Sequence, residues 1–291
     1  MASSTSLSNL TRELTPEQCE LQYNLRQAHS DFPSILKDWQ DWSEQTRRDL
    51  DFEADLQYGP STDETLDLFL ADTPQPSPLL LFIHGGYWQS GDKRDVSFIA
   101  RHLVPAGISV AVNNYGLAPQ TNLQGMVEQT SRALQWLSSQ AGRFHIDPAK
   151  IILMGHSAGG HLSAMMLTAY GASENKATGP RVQGAIAISG LFDLQPLLHT
   201  TLNDALQLDV EQVQKLSPLS LKKTVKASLY TLVGALETQA FKNQEQVIGA
   251  HWPDVQMLPN VDGKHHYTVL DLFNDPDNPW FKCIADIALD E

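Results

Sequence analysis

Apolar residues along this chain gather into short unbroken runs, at 66–70, 79–83, 108–113, 151–154, 184–188, 229–233 and 255–258. Runs this short and this rich in Leu, Ile and Val fit strands buried on both faces. Between most of them the apolar positions recur at helical spacing, as at 96–103, 126–137 and 162–170. Strands alternating with helices predict an α/β architecture, a mostly parallel sheet covered by helices on both sides. The segment Thr73-Pro74-Gln75-Pro76-Ser77-Pro78 is too short for a crossover helix, so the two early strands it joins are expected to be adjacent and antiparallel.

Two segments stand outside this alternation. Residues 17–50 read as a polar helical arm, with Trp39 and Trp42 one turn apart. Those tryptophans either dock the arm on the core or fold over the mouth of a site as part of a cap. Residues 197–225 interrupt the late strands and are expected to supply a lid or pocket wall. With residues 1–60 counted as the arm, the 291-residue chain is expected to form a single domain. No internal repeat is visible.

The run at 151–154 empties into Gly155-His156-Ser157-Ala158-Gly159, followed by a helical pattern carrying Leu162, Met165 and Met166. A serine flanked by small residues between a strand and a helix fits a tight turn that lifts its hydroxyl out of the sheet. Ser157 is therefore the candidate nucleophile. Upstream, the run at 79–83 leads into His84-Gly85-Gly86-Tyr87-Trp88. Two adjacent glycines after a strand leave backbone N–H groups able to converge on one point, where they would stabilise the negative charge of an attacked carbonyl. The amides of Gly85, Gly86 and Ala158 are the candidate oxyanion hole; the alternative is a plain glycine turn.

Together these motifs resemble the arylformamidase (kynurenine formamidase) branch of the α/β hydrolases, which is related to the hormone-sensitive-lipase-type esterases. Further matching pieces run through the chain in order: Tyr23-Asn24, Tyr58-Gly59-Pro60, Leu66-Asp67-Leu68-Phe69, residues 115–119 and Ser189-Gly190-Leu191-Phe192-Asp193. The Tyr87-Trp88 ending separates this branch from esterases with a third glycine there. The resemblance implies an α/β-hydrolase fold and a catalytic triad in the chain order Ser, acid, His.

A serine hydroxyl is a poor nucleophile at neutral pH and needs an imidazole base oriented by a carboxylate. Glu237 is the carboxylate in the loop after the run at 229–233, where ligand chemistry collects in parallel sheets. Relatives, including the animal enzymes, place Asp there, so Glu237 departs from the pattern by one methylene; Asp262 is the fallback, while Asp254 and Asp209 are expected to face solvent. For the base, the family's placement before an aromatic residue that opens a helix selects His266, which precedes Tyr267. His265 is the competitor, and His251 is expected at the surface.

Other residues carry blander expectations. His156 and His161 beside the turn should complete local hydrogen bonds, His84 should brace the oxyanion loop, and Asp193 should tie its own loop. Ser189 reads as a functional hydroxyl or simply a turn hydroxyl. Lys93 and Arg94 read as surface charges, and no cation can be set against a substrate carboxylate. No metal site is expected, because the histidines lack carboxylate or cysteine partners at ligand spacing, and no cofactor is expected.

Charge limits the partners. Lys and Arg total 20 against 34 Asp and Glu, a net charge of −14, which disfavours nucleic acid and anionic lipid. No apolar run approaches the roughly 20 residues that span a bilayer. The first residues lack the features of a secretory signal, and two cysteines, Cys19 and Cys283, make no disulfide framework, so a cytoplasmic location is expected. The expected partner is a small-molecule amide or ester; a homodimer stays open.

The expected chemistry is serine hydrolysis of a formyl or acyl group, with Tyr87 and Trp88 narrowing the acyl side. The resemblance implies arylformamidase action on N-formyl-L-kynurenine. A carboxylesterase or other amide hydrolase of the same branch is the alternative. A non-catalytic binding protein would be expected to have lost the serine or the base, and this chain retains both.

Overall fold

The computed structural model describes residues 10–171 and 180–289. Three helices come first, α1 (Pro16–Tyr23), α2 (Leu25–Ala28) and α3 (Phe32–Asp49), followed by strand β1 (Phe52–Gln57). Then come β2 (Thr65–Phe69), β3 (Ser77–Ile83), α4 (Ala100–Leu103), β4 (Ser109–Asn113), α5 (Leu123–Gln140), β5 (Ile146–His156) and α6 (Ala158–Met165). The second half runs β6 (Val182–Ile188), α7 (Asn203–Leu206), α8 (Val210–Leu216), β7 (Ser228–Leu232), α9 (Gln239–His251), β8 (Val255–Met257) and α10 (Pro279–Leu289).

The strands form one eight-stranded sheet in the order β1-β2-β4-β3-β5-β6-β7-β8. From β4 to β8 every pairing is parallel. At the centre, β5 pairs with β3 on one side (Leu81↔Leu153) and with β6 on the other (Leu153↔Ala185). Residues 151–154 are wholly buried, as a strand covered on both faces requires.

Three expectations need correction. The early strands joined by the proline-rich loop run in opposite directions but are not neighbours: β4 lies between them, and β2 pairs antiparallel with β4 (Leu66↔Asn113). The helical arm ends at Asp49, because residues 52–57 form an edge strand on β2. Its largely exposed Phe-Glu-Ala-Asp-Leu-Gln sequence carries no apolar run. The pattern after the base also differs in kind: residues 268–274 wind as a 3₁₀ helix.

The parallel topology brings the ends of several strands to one edge of the sheet. Ile83 leads to His84, His156 to Ser157, Ile188 to Ser189, and Leu232 to the loop of Glu237. That loop is zipped to the segment before His266. A bridge pairs Gly234 with Val261, Ala235 N–H donates to Val261 O (2.9 Å), and Leu236 N–H donates to Lys264 O (2.9 Å).

Candidate active site

Ser157 sits on a sharp turn with φ +56° and ψ −116°, a conformation L-residues rarely hold. Two contacts explain its glycine flanks. A Cβ on Gly155 would stand 2.1 Å from the carbonyl oxygen of Gly159, and one on Gly159 would stand 1.9 Å from that of Ile83. The turn can therefore press against both its own helix and strand β3 only because those side chains are missing. Ser157 N–H donates to Ile188 O (2.8 Å), which fixes the turn to β6.

The candidate oxyanion loop is equally constrained. Gly86, Tyr87 and Trp88 follow one another at φ +105°, +51° and +57°. Among the described residues the N–H groups of Gly85 and Gly86 donate to no protein acceptor, and Ala158 N–H is the first of α6, where no intrahelical partner exists. His84 braces this loop through Nδ1 against Gly85 O (2.8 Å), with its ring stacked on Tyr115 at 4.5 Å. Burial pushes the His84 pKa down, so the ring stays neutral at neutral pH.

Of the two candidate bases, His266 is the one beside the candidate acid, Glu237. Its Nδ1–H donates to Glu237, with Oε2 at 3.1 Å and Oε1 at 3.3 Å, both side chains being buried. His265 turns away: it stacks on His29 at 4.3 Å and accepts a hydrogen bond at Nδ1 from Tyr267 N–H (3.3 Å). Asp262 and His251 are exposed, Asp254 pairs with Lys223, and Asp209 caps α8. With Nδ1–H held by Glu237, the lone pair of His266 lies on Nε2. His266 and Ser157 line the same cavity.

The neighbouring histidines are structural. His156 Nε2 bonds His266 O (2.7 Å) and His161 Nε2 bonds Leu216 O (2.7 Å). Burial drives the pKa of His156 well below its ordinary value and that of His161 down to about 4. His29, Asp31 and His265 also bring ligand atoms within 4.8 Å of one another. The two imidazole planes lie only 19° apart in a stack, so their in-plane lone pairs do not converge on one ion.

The cavity over Ser157 has a volume of about 280 Å³. Its aromatic and apolar wall comes largely from Phe32, Leu36 and Trp39 of the arm, together with Tyr87, Tyr267 and Leu270. Trp39 lines the cavity and also packs on Phe98 (6.1 Å), as Trp42 does (5.6 Å), so both tryptophans dock the arm on the core and Trp39 also covers the site. Trp88 does not line the cavity: its fully buried ring stands edge-on to His161 at 5.1 Å, behind the loop. None of residues 197–225 lines it either; Leu206 and Leu216 of that insertion are buried in the core.

The arm is held over the site by polar ties. Thr11 Oγ1 and Arg12 Nε donate to Asp193 (2.7 and 3.1 Å), Thr238 Oγ1 donates to Gln22 O (3.0 Å), and the Tyr87 hydroxyl donates to Tyr23 O. Three features add to the sequence reading, differ from it or resolve what it left open. Ser189 donates its hydroxyl to Glu237 Oε1; its place at the end of a parallel strand was the available signal. Arg26 lines the cavity. Lys93 is buried, not a surface charge, and pairs with Asp67 (2.8 Å) and Asp55.

No helix among the described residues is long and apolar enough to cross a membrane. The profile of the BD-FAE family matches residues 66–233. Kynurenine formamidase of Danio rerio is 36% identical over 179 residues, covering 60% of this chain and 58% of that enzyme. The Drosophila melanogaster kynurenine formamidase is 28% identical over 248 residues, covering 81% and 77%. The matched stretch thus spans less than two thirds of the zebrafish enzyme. A candidate thioesterase from Silicibacter sp. superposes with a TM-score of 0.81 at 30% identity, covering 91% of this chain and 98% of that one. Esterase B of Lactobacillus rhamnosis, at 19% identity and a TM-score of 0.65, shares the fold. A family profile that matches more than half of the chain, with relatives and a superposed neighbour of the same kind, makes this an arylformamidase-like α/β hydrolase, a member of the BD-FAE family.

Proposed function

We propose that this protein is an arylformamidase that hydrolyses N-formyl-L-kynurenine to L-kynurenine and formate, with Ser157, His266 and Glu237 as its catalytic triad. His266 Nε2 takes the proton of Ser157 Oγ as that oxygen attacks the formyl carbon. The amides of Gly85, Gly86 and Ala158 hold the resulting oxyanion. His266 then gives its proton to the departing aryl amine, and the C–N bond breaks. Water, deprotonated by the same imidazole, attacks the formyl ester on Ser157 and releases formate. Glu237 keeps Nδ1–H oriented and stabilises the imidazolium.

The observation that carries this reading is the cavity itself: small, walled by Phe32, Trp39 and Tyr267, and floored by Ser157 and His266. An aryl group fits such a wall, and a formyl group demands little room beside the oxyanion loop. The similarity to kynurenine formamidases supports the same substrate. Two free cysteines, Cys19 and Cys283, support a cytosolic setting. The competing reading is a small-ester hydrolase, favoured by the esterase and thioesterase neighbours.

The ratio of kcat/KM for N-formyl-L-kynurenine to that for para-nitrophenyl acetate separates them. A ratio well above one is expected. Turnover of the ester with no turnover of the formamide would move the function to the esterases while leaving the triad in place.

A further inference from the structure

Apart from the histidines, the charged side chains in the cavity wall are few: Arg26, Asp92 and Asp95. Asp92 is occupied by Arg94 N–H (2.8 Å) and Asn114 Nδ2 (2.9 Å), and Asp95 by Gln40 Nε2 (2.9 Å). Arg26 differs. Its guanidinium is exposed, donates to Ser90 Oγ on the oxyanion loop, and forms no ion pair among the described residues. A guanidinium has five N–H donors in a planar fork, so one bond to a hydroxyl leaves the fork open for an anion.

A second group meets it at the cavity. Tyr267 is buried and its hydroxyl donates to no protein acceptor among the described residues. Burial pushes its pKa up to about 12, with the nearby charge of Arg26 pulling the other way, so it stays a donor at neutral pH. A cation and a neutral O–H on residues that line one cavity can form a paired recognition element for a carboxylate. The two wall carboxylates make the overall pattern one that suits a zwitterion and disfavours a dianion.

We propose that Arg26, assisted by the Tyr267 hydroxyl, is the specificity residue that binds the carboxylate of an α-amino-acid leaving group, selecting aryl amides that carry this group over those that lack it. This rests on the formamidase reading. Arg26 sits on the arm, so the arm would supply selectivity while the sheet edge supplies chemistry.

The test compares N-formyl-L-kynurenine with ortho-formamidoacetophenone, which keeps the aryl formamide and lacks the amino-acid end. In Arg26→Gln the kcat/KM ratio between the two should fall about ten-fold or more, chiefly through KM, because a charged hydrogen bond to the substrate is lost. Arg26→Lys should recover part of it, and Tyr267→Phe should lower the ratio less. An unchanged ratio in Arg26→Gln, whether both rates fall together or neither does, overturns the proposal. If the parent enzyme hydrolyses neither formamide, the formamidase reading fails by itself. The same variants are then compared on para-nitrophenyl acetate and its ring-carboxylated analogue. A preference for the carboxylated ester that Arg26→Gln removes keeps Arg26 as the anchor, and no preference overturns it.

Discussion

Ser189 donates its hydroxyl to Oε1 of Glu237, the carboxylate that accepts from His266 Nδ1. Ser189 stands at φ +51° at the end of β6, with its N–H bonded to Leu232 O (2.7 Å), so its own position is fixed from two sides. Glutamate has one more rotatable bond than aspartate, and this second anchor restrains it. Ser189→Ala should therefore lower kcat by about ten-fold with little change in KM, because the acid is left free to reorient. Steady-state kinetics at parent kcat would remove Ser189 from the site.

Changing Glu237, the proposed acid, should cost far more. Glu237→Gln keeps the shape but presents an amide that can favour the wrong imidazole tautomer, and kcat should fall on the order of 10³-fold to 10⁴-fold. Asp262→Asn, at an exposed position, should leave kcat within about two-fold of the parent. The reverse ranking in side-by-side assays would exchange their roles.

Gly159→Ala should abolish the folded serine turn, because its Cβ would lie 1.9 Å from the backbone oxygen of Ile83 and neither group can retreat. Gly142→Ala meets nothing within 4 Å and serves as the control. Soluble expression and thermal melting of the two variants compare a close approach with open space; equal stability would contradict the packing described.

Behind the oxyanion loop, Asp67 is buried between Lys93 and Arg47 and accepts a further bond from Asp55 N–H (2.8 Å). Removing its charge leaves Lys93 buried with only Asp55, and Asp67→Asn should destabilise the protein by about 3–5 kcal/mol. Lys37→Ala, which removes an exposed ion pair with Asp41, should change stability by less than about 1 kcal/mol. Urea denaturation measures both.

Stability should fall on mild acidification. His84, His156 and His161 have folded pKa values below the ordinary histidine value, so the unfolded chain binds protons that the folded chain refuses. Their contribution is full above about pH 6.5 and is lost as pH falls below it, at no more than about 1.4 kcal/mol per pH unit for each histidine. Glu245 acts with the opposite sign, since burial raises its pKa and the folded state takes up its proton first. The net slope of unfolding free energy between about pH 6.5 and pH 5 should still be positive with pH. A flat profile in urea titrations across that window would show that these histidines are charged or exposed in solution.

The chain by itself determined the layering and the tight glycine turns at two strand ends. Runs such as 151–154 can be that apolar only where both faces are covered, and the glycines around Ser157 and at 85–86 mark places where backbone approaches backbone. Local sequence carries such information because it concerns one segment and its own conformation. What needed the tertiary structure was every relation between distant segments. Nothing local told His265 from His266 except the family resemblance; in the fold, the zipper between residues 234–236 and 261–264 turns one toward Glu237, while the other stacks on His29. Likewise β4 enters between β2 and β3, Ser189 meets Glu237, and Arg26 reaches the oxyanion loop from an arm that precedes the sheet. These contacts join residues tens of positions apart, and packing of the whole sheet edge selects them, so no pattern along the chain records them.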